Sequence, residues 1–118
     1  MGDFTTIVAN DLEQITMIAG DELKLEYKLY DNKQKEIDLN GATCLLSVFK
    51  YGDPSYVIFS IEGTVDNVEL NKFEVIVSGS YTQNLSGVYQ QQVKIIDGTG
   101  SSHIPSQGKI IIFPSPTI

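Results

Sequence analysis

The chain has 118 residues, of which 42% are hydrophobic and 19% are charged, values typical of one globular domain that buries a core. Its eight strongly basic residues are all lysines, and fifteen acidic residues give a net charge of −7; binding to nucleic acid or anionic membrane depends on clustered lysine and arginine, so we expect neither partner. No apolar run approaches the ~20 residues of a membrane-spanning helix, and the N-terminus lacks the regions of a secretory signal.

Residues 1–12 precede the first predicted strand and are interpreted as an N-terminal arm. This arm either adds a strand to a neighbouring molecule, with Phe4 and Ile7 as candidate interface residues, or is a disordered tail. The residue pattern favours neither alternative. The segment EQITMIAG, residues 13–20, then predicts a short strand.

The segment DELKLEYKLYD has the clearest pattern in the chain, because four apolar residues alternate with charged ones: Leu23, Leu25, Tyr27 and Leu29. A period of two is that of a strand with one buried and one solvated face. We therefore predict a half-buried strand over this segment.

The next elements are a turn at residues 31–34 and a brief strand over EIDLNG, residues 36–41. This strand is predicted to end in an Asn40-Gly41 turn, a strong hairpin signal. The run ATCLLSVFKY, residues 42–51, is continuously apolar, which favours a strand at the centre of a sheet. We expect Gly52 and Pro54 to end it.

Cys44 lies in this apolar run and is the single cysteine. An intrachain disulfide is therefore impossible, and the stability of the fold must come from packing. We interpret the thiol as a buried small apolar side chain.

Four further strands are predicted from short apolar or alternating runs at residues 55–63, 71–79, 87–97 and 108–113. The segments between them are rich in turn-forming residues, and no helical repeat is present. The pattern predicts an all-β fold, an antiparallel sandwich or barrel of seven to nine strands. We assign residues 13–113 to this domain and 114–118 to a C-terminal tail or the start of a linker.

Few residues of the sequence are candidates for catalysis or metal binding. His103 lies in a segment rich in glycine and serine with no signature of a Ser-His hydrolase, so we interpret it as an exposed loop residue. One cysteine and one histidine cannot complete a zinc site. Five aspartates fall in or near loops, where they fit turns better than a calcium site: Asp31, Asp38, Asp53, Asp66 and Asp97. We expect no enzyme activity, no metal and no cofactor.

The segment LSGVY, Leu85–Tyr89, resembles the start of the penultimate strand in immunoglobulin-like (Ig-like) sandwiches. In those domains a tyrosine at this point bonds back to the upstream backbone. The resemblance implies an Ig-like β-sandwich with a structural corner at Gly87 and Tyr89. Gln91 stands where antibody domains carry their second cysteine, so the chain is not an antibody-type domain.

A longer resemblance covers roughly residues 12–113 and rests on five short motifs, in chain order Gly20-Asp21, Asp38-Leu39, Gly41-Ala42, Gly87-x-Tyr89 and Gly108. These motifs are similar to the N-terminal domain of phage baseplate upper proteins and related virion modules of tails, fibres and capsids. The resemblance implies a non-enzymatic virion protein, assembled in the bacterial cytoplasm, that docks a baseplate or fibre protein onto the particle in several copies. Members continue into a helical stalk, whereas this sequence stops at Ile118.

Gln90 and Gln92 are predicted to face away from Tyr89 and Gln91 on the long strand. Their uncharged amides suit a face that docks against another subunit, because amides are less costly to bury than charges. Gln90 and Gln92 are therefore candidate interface residues. The alternative function is a carbohydrate- or cell-surface-binding Ig-like module, with a ligand contacted by exposed tyrosines among Tyr30, Tyr51, Tyr56 and Tyr81.

Overall fold

The computed structural model describes residues 4–8, 14–31, 33 and 35–115. They form an all-β fold of nine strands: β1 (Phe4–Val8), β2 (Gln14–Ile18), β3 (Leu23–Asp31), β4 (Thr43–Lys50), β5 (Asp53–Glu62), β6 (Thr64–Val65), β7 (Lys72–Val77), β8 (Gly87–Ile96) and β9 (Ser102–Phe113). One turn of 3-10 helix, Gly79–Tyr81, lies between β7 and β8.

The strands form two sheets that pack against each other. The four-stranded sheet has the order β1-β3-β7-β6, and the five-stranded sheet has the order β2-β9-β8-β4-β5. Neighbouring strands are antiparallel, apart from the parallel pair β2–β9. The sheet pairing of β3 with β7, and of β4, β8 and β9, is that of strands B with E and C, F and G in an Ig-like sandwich. The predicted fold class is confirmed, with one parallel pair added.

The core lies between the sheets and follows the predicted period of two. The β3–β7 register pairs Leu23 with Val77, Leu25 with Val75 and Tyr27 with Phe73. The five-stranded sheet contributes nine apolar side chains to this core from β2, β4, β8 and β9: Ile15, Met17, Cys44, Leu46, Val48, Val93, Ile95, Ile110 and Ile112. Apolar faces of both sheets therefore meet in one continuous core.

The N-terminal segment differs from the prediction of an arm. Residues 4–8 form β1, which pairs with β3 of the same chain from Phe4–Asp31 to Val8–Tyr27. The run of β-branched residues over this segment suits a strand, and β3 offers it an unpaired edge. The rest of the proposed arm, and the side chains of Phe4 and Ile7, lie outside the described residues.

The connection from β3 to β4 also differs from the prediction. Residues 36–41 form no strand, because this segment crosses from one sheet to the other and Glu36 makes only an isolated bridge to Tyr30. Leu39 is buried, and its amide donates to the Leu70 carbonyl at 2.8 Å. The Asn40-Gly41 turn does form, with Gly41 at φ 81, but it ends a crossover and not a hairpin.

In the five-stranded sheet, β4 lies between β8 and β5, as predicted for a central strand. Gly52, at φ 81, forms the turn of the β4–β5 hairpin. Pro54 lies inside β5 instead of ending a strand. The sheet tolerates it there because β5 is an edge strand, where a missing backbone donor leaves no neighbour unpaired.

The last strand begins at Ser102 and not at Gly108 as predicted. Residues 102–107 extend the pairing of β9 along the C-terminal half of β8, and His103 lies opposite Ile95. His103 is therefore a strand residue and not a loop residue. The pairing with β8 outweighs the local glycine and serine content, as tertiary contacts commonly do.

Two tyrosines of the sandwich differ in how their hydroxyl groups are bonded. Tyr27 is fully buried, stacks on Phe73 at 4.8 Å between ring centroids, and has no hydrogen-bond partner for its hydroxyl among the described residues. Burial raises its pKa above the ordinary value. Tyr89, at the start of β8, donates from its hydroxyl to the Ser86 carbonyl at 3.0 Å.

We expect the two Tyr→Phe substitutions to change stability in opposite directions. Tyr27→Phe removes a buried, unbonded hydroxyl and should raise the free energy of unfolding by about 1 kcal/mol. Tyr89→Phe removes a formed hydrogen bond and should lower it by about 1 kcal/mol. Urea denaturation of the two variants and the wild type measures both changes. A destabilised Tyr27→Phe variant would show that its hydroxyl is bonded in solution.

Candidate functional site

The outer face of the four-stranded sheet carries a network of ion pairs, and we call it the ion-pair face. Lys24 contacts Glu74 at 3.3 Å and Glu26 at 3.5 Å, and Lys72 contacts Glu26 at 3.9 Å. These side chains alternate along β3 and β7 with the buried apolar residues, so the register that builds the core also aligns them. Exposed pairs of this kind contribute little to stability, but they are costly to strip of water.

The outer face of the five-stranded sheet has a different composition. Its side chains alternate with the buried residues of β2, β8, β9 and β4, and most are uncharged amide, hydroxyl or apolar groups: Thr16, Ile18, Val88, Gln90, Gln92, Ile111, Phe113 and Ser47. We call this surface the amide face. Lys94 and Lys109 also lie on this face, and so does Glu62 of the edge strand β5.

Apolar residues are concentrated at one end of the amide face. Thr16, Ile111 and Val88 lie side by side on β2, β9 and β8, and Ile18 lies beside Phe113 in the next row. Val88, Ile18 and Phe113 are exposed. Toward the other end, hydroxyl and amide groups dominate, and the Ser47 and Ser60 hydroxyls contact each other at 2.9 Å.

The candidate interface residues Gln90 and Gln92 both lie on the amide face, in adjacent rows. Gln90 is opposite Phe49 and Lys109, and Gln92 is opposite Ser47 and Gln107. Gln91 between them is buried in the core. Gly87 and Tyr89 lie at the start of the same strand, where Gly87 has φ 108 and the Tyr89–Ser86 bond ties β8 to the preceding loop.

Where the β4–β5 hairpin meets β8 and β9, a cleft of about 370 Å³ opens on the amide face. We call it the hairpin cleft, and its lining includes Phe49, Tyr51, Pro54, Gln90, Gln107 and Lys109. The ammonium group of Lys109 lies 5.7 Å from the centroid of the Tyr51 ring. The Gln90 Oε1 accepts a hydrogen bond from the Gly52 amide at 3.2 Å. From the sequence, Tyr51 was a candidate sugar contact and Gln90 a candidate interface residue, but no sequence pattern indicated that the two line one cleft.

Asp97 and His103 form a second polar cluster, at the β8–β9 turn. The His103 Nε2 lies 3.3 Å from the Asp97 Oδ2. The other carboxylate oxygen accepts hydrogen bonds from the Thr99 hydroxyl at 2.6 Å, the Thr99 amide at 3.0 Å and the Ser101 amide at 3.1 Å. The sequence predicted a loop from residue 98 to residue 107, so it gave no indication that Asp97 and His103 lie side by side.

Aspartates at three other turns accept hydrogen bonds from their own loops. The Asp38 Oδ1 binds the Asn40 amide, the Asp53 Oδ1 binds Ser55, and the Asp66 Oδ1 binds the Val68 and Glu69 amides. These are the contacts of aspartates that stabilise turns. Over the described residues, no group of three or more histidine, cysteine or acidic side chains is placed to hold a metal ion.

Cys44 is buried in β4, as its apolar neighbourhood predicted. Burial, reinforced by the charge of Glu62, raises the pKa of its thiol to about 12. A thiol with such a pKa carries almost no thiolate at neutral pH and is a packing group. In the part of the chain that the structure describes, no helix is long and apolar enough to span a membrane.

No model of a known protein family matches the chain, and no curated protein matches its sequence. Solved structures do share the fold. CopC from Methylosinus trichosporium OB3b superposes with a TM-score of 0.56 at 8% identity, over 98% of both chains. Fibronectin(III)-like modules of CbhA from Clostridium thermocellum give 0.55 at 15% identity, over 98% of this chain and 49% of that one. The Lin-41 filamin domain gives 0.51 at 13%, over 95% and 97%.

These identities establish the fold alone. The chain is an Ig-like or fibronectin-III-like β-sandwich, as the resemblance of Leu85–Tyr89 to Ig-like sandwiches implied. These structural similarities do not connect the chain to phage baseplate proteins, so the baseplate resemblance remains a hypothesis.

Asp97 should make stability depend on pH in the acid range. The pKa of Asp97 is lowered from 3.8 to about 2. The hydrogen bond from the Thr99 hydroxyl is the largest cause, and His103 and the backbone amides of Thr99 and Ser101 contribute further hydrogen bonds. A carboxylate whose pKa is lower in the folded state stabilises that state at pH values above its pKa in the unfolded chain. This contribution is lost as the pH falls through the folded-state pKa of about 2. We therefore expect the stability advantage of the wild type over Asp97→Asn to be full above pH 4 and to vanish near pH 2. Urea denaturation between pH 2 and pH 6 measures it; an advantage that does not change with pH contradicts the assignment.

Proposed function

We propose that the protein is a non-enzymatic docking module that assembles with copies of itself and with other virion proteins through the amide face. The observation that carries this proposal is the difference between the two outer faces. The ion-pair face is covered by paired lysines and glutamates, whereas the amide face combines exposed Val88, Ile18 and Phe113 with uncharged amides.

The cost of desolvation favours the amide face as the docking surface. Burying the Lys24–Glu74 and Lys72–Glu26 pairs would remove water from at least four charges, a penalty that their attraction does not reliably offset. Amides and aliphatic groups are less costly to bury, and interface cores are depleted in charge. A partner is therefore expected to cover the five-stranded sheet and leave the four-stranded sheet in solvent.

Self-complementary chemistry supports a second copy as the occupant. An amide carries both donors and acceptors, so Gln90 and Gln92 of one molecule can pair with the same residues of another. A symmetric interface places the same patch on both subunits, which such groups allow.

For the larger assembly we propose a phage virion, with the module at a tail baseplate or at the base of a fibre. The support is the sequence resemblance through Gly20-Asp21, Gly87, Tyr89 and Gly108. A reading frame that continues past Ile118 into a helical stalk would strengthen this assignment. A frame that continues into a catalytic domain would contradict it.

Carbohydrate recognition is the second candidate function. It is favoured by the hairpin cleft, where an exposed tyrosine, Tyr51, lies beside amide side chains. Aromatic faces and amides are the groups that contact the apolar and hydroxyl faces of sugars.

The docking proposal predicts that one charge at the apolar end of the amide face blocks self-association. Val88→Glu should weaken it by more than about tenfold, because the interface would bury an unpaired carboxylate. Gln90→Glu/Gln92→Glu should act in the same direction. Sedimentation equilibrium over a range of protein concentrations measures the association constants, and circular dichroism verifies the fold.

Ile76→Glu is the matched control. Ile76 is 45% exposed on the ion-pair face, the same fraction as Val88 on the amide face, so the two substitutions add the same charge at equal exposure. Ile76→Glu should leave the association constant unchanged. A wild type that stays monomeric at high concentration, or equal effects of the two variants, would rule out self-docking through this face.

A further inference from the structure

The hairpin cleft differs from the rest of the amide face because it holds a cation and an aromatic ring together. The Lys109 ammonium lies 5.7 Å from the Tyr51 ring centroid, within the range of a cation–π contact. Tyr51 is 51% exposed, so its ring remains accessible to a ligand. A group that contacts the ring is therefore within reach of the ammonium.

Hydrogen-bond donors converge on the same cleft. The Gln90 Oε1 is occupied by the Gly52 amide, and this bond orients the side chain and leaves the Nε2 protons as donors. Lys109 lies directly opposite Gln90 in the β8–β9 register. An ammonium and a neighbouring amide N–H group are donors suited to a carboxylate, and charge-assisted bonds of this kind are the stronger ones.

The remaining lining suits the body of a sugar. Phe49 and Pro54 supply apolar surface, and Gln92 and Gln107 add amide groups that can both donate to and accept from hydroxyls. The cleft volume of about 370 Å³ accommodates a ligand of one or two sugar rings. Among the described residues that line the cleft, Lys109 is the charged one, although the whole chain carries a net charge of −7.

We infer that the hairpin cleft binds a carboxylate-bearing saccharide of the hexuronate type. The sugar ring packs on Tyr51, and its carboxylate accepts hydrogen bonds from Lys109 and Gln90. The inference names the site and ligand class of the second candidate function and does not depend on self-docking.

The test compares two sugars that differ in one group, methyl β-D-glucuronide and methyl β-D-glucoside, by NMR titration of the isotope-labelled protein. The glucuronide should bind about tenfold or more tightly than the glucoside, because the glucoside cannot accept the charge-assisted bonds. Lys109→Gln should abolish this preference. Tyr51→Ala should weaken binding of both sugars by about tenfold, since ring contact is shared.

The chain contains a matched control pair beside the cleft. The Lys50 ammonium lies 5.8 Å from the ring centroid of Tyr56, which is 56% exposed, and neither residue is part of the cleft lining. Lys50→Gln and Tyr56→Ala should leave both affinities unchanged. These controls show whether an effect of Lys109→Gln or Tyr51→Ala is specific to the cleft or follows from any loss of positive charge or exposed aromatic surface.

Three outcomes would overturn the inference: no shifts with glucuronide at tens of millimolar, equal binding of the two sugars, or binding that survives both Lys109→Gln and Tyr51→Ala. Acetate and a short peptide with a free C-terminal carboxylate serve as further probes. Equal or tighter binding of either one would be a fourth such outcome, because it would assign the cleft to carboxylates in general or to peptide ends. Sedimentation without any sugar tests docking separately, so each proposal can fail without the other.

Discussion

The pairing of β3 with β7 fixes both the core and the charge distribution of this protein. Leu25 opposite Val75 and Tyr27 opposite Phe73 set the register, and the intervening residues then have to point outward. A shift by one residue would exchange the two sets, burying lysines and glutamates and exposing the apolar side chains. With Cys44 unpaired and buried, no disulfide reinforces this arrangement, and apolar packing between the sheets carries the stability.

Among the described residues, the outer face of the five-stranded sheet carries no comparable network of ion pairs, and its side chains are of more varied chemical types. The burial of Gln91, Val93 and Ile95 fixes which residues of β8 face the core, but solvent alone would accept lysine or glutamate at positions 90 and 92. Uncharged amides occur there instead, beside the exposed Val88. Gln90 lies both on the proposed docking surface and in the hairpin cleft, so a molecule bound in the cleft would compete with a subunit that covers this part of the sheet.

Features set by the side-chain period were predictable from sequence, whereas features set by pairing between distant strands were not. Alternation located β3, β7 and β8 and the outward side of Gln90 and Gln92, and the Asn40-Gly41 pair located a turn. The crossover that follows β3, the pairing of residues 4–8 with β3 and the parallel β2–β9 pair depend on which strand is adjacent in space. The Asp97–His103 contact could not be predicted for the same reason, since it requires β9 to begin at Ser102 and to pair with the end of β8.

The hairpin cleft has its origin in an irregularity of the edge strand. Phe49 pairs with Val57 and Lys50 with Asp53, so β5 advances four residues where β4 advances one. Bulges of this kind bend a strand away from its neighbour and, together with Pro54, prevent the edge from pairing with another sheet. The same departure leaves the hairpin end of the sheet open beside Phe49 and Gln90, and Tyr51 and Lys109 border the opening. The irregularity of the edge strand thereby provides the concave surface on which the proposed saccharide site lies.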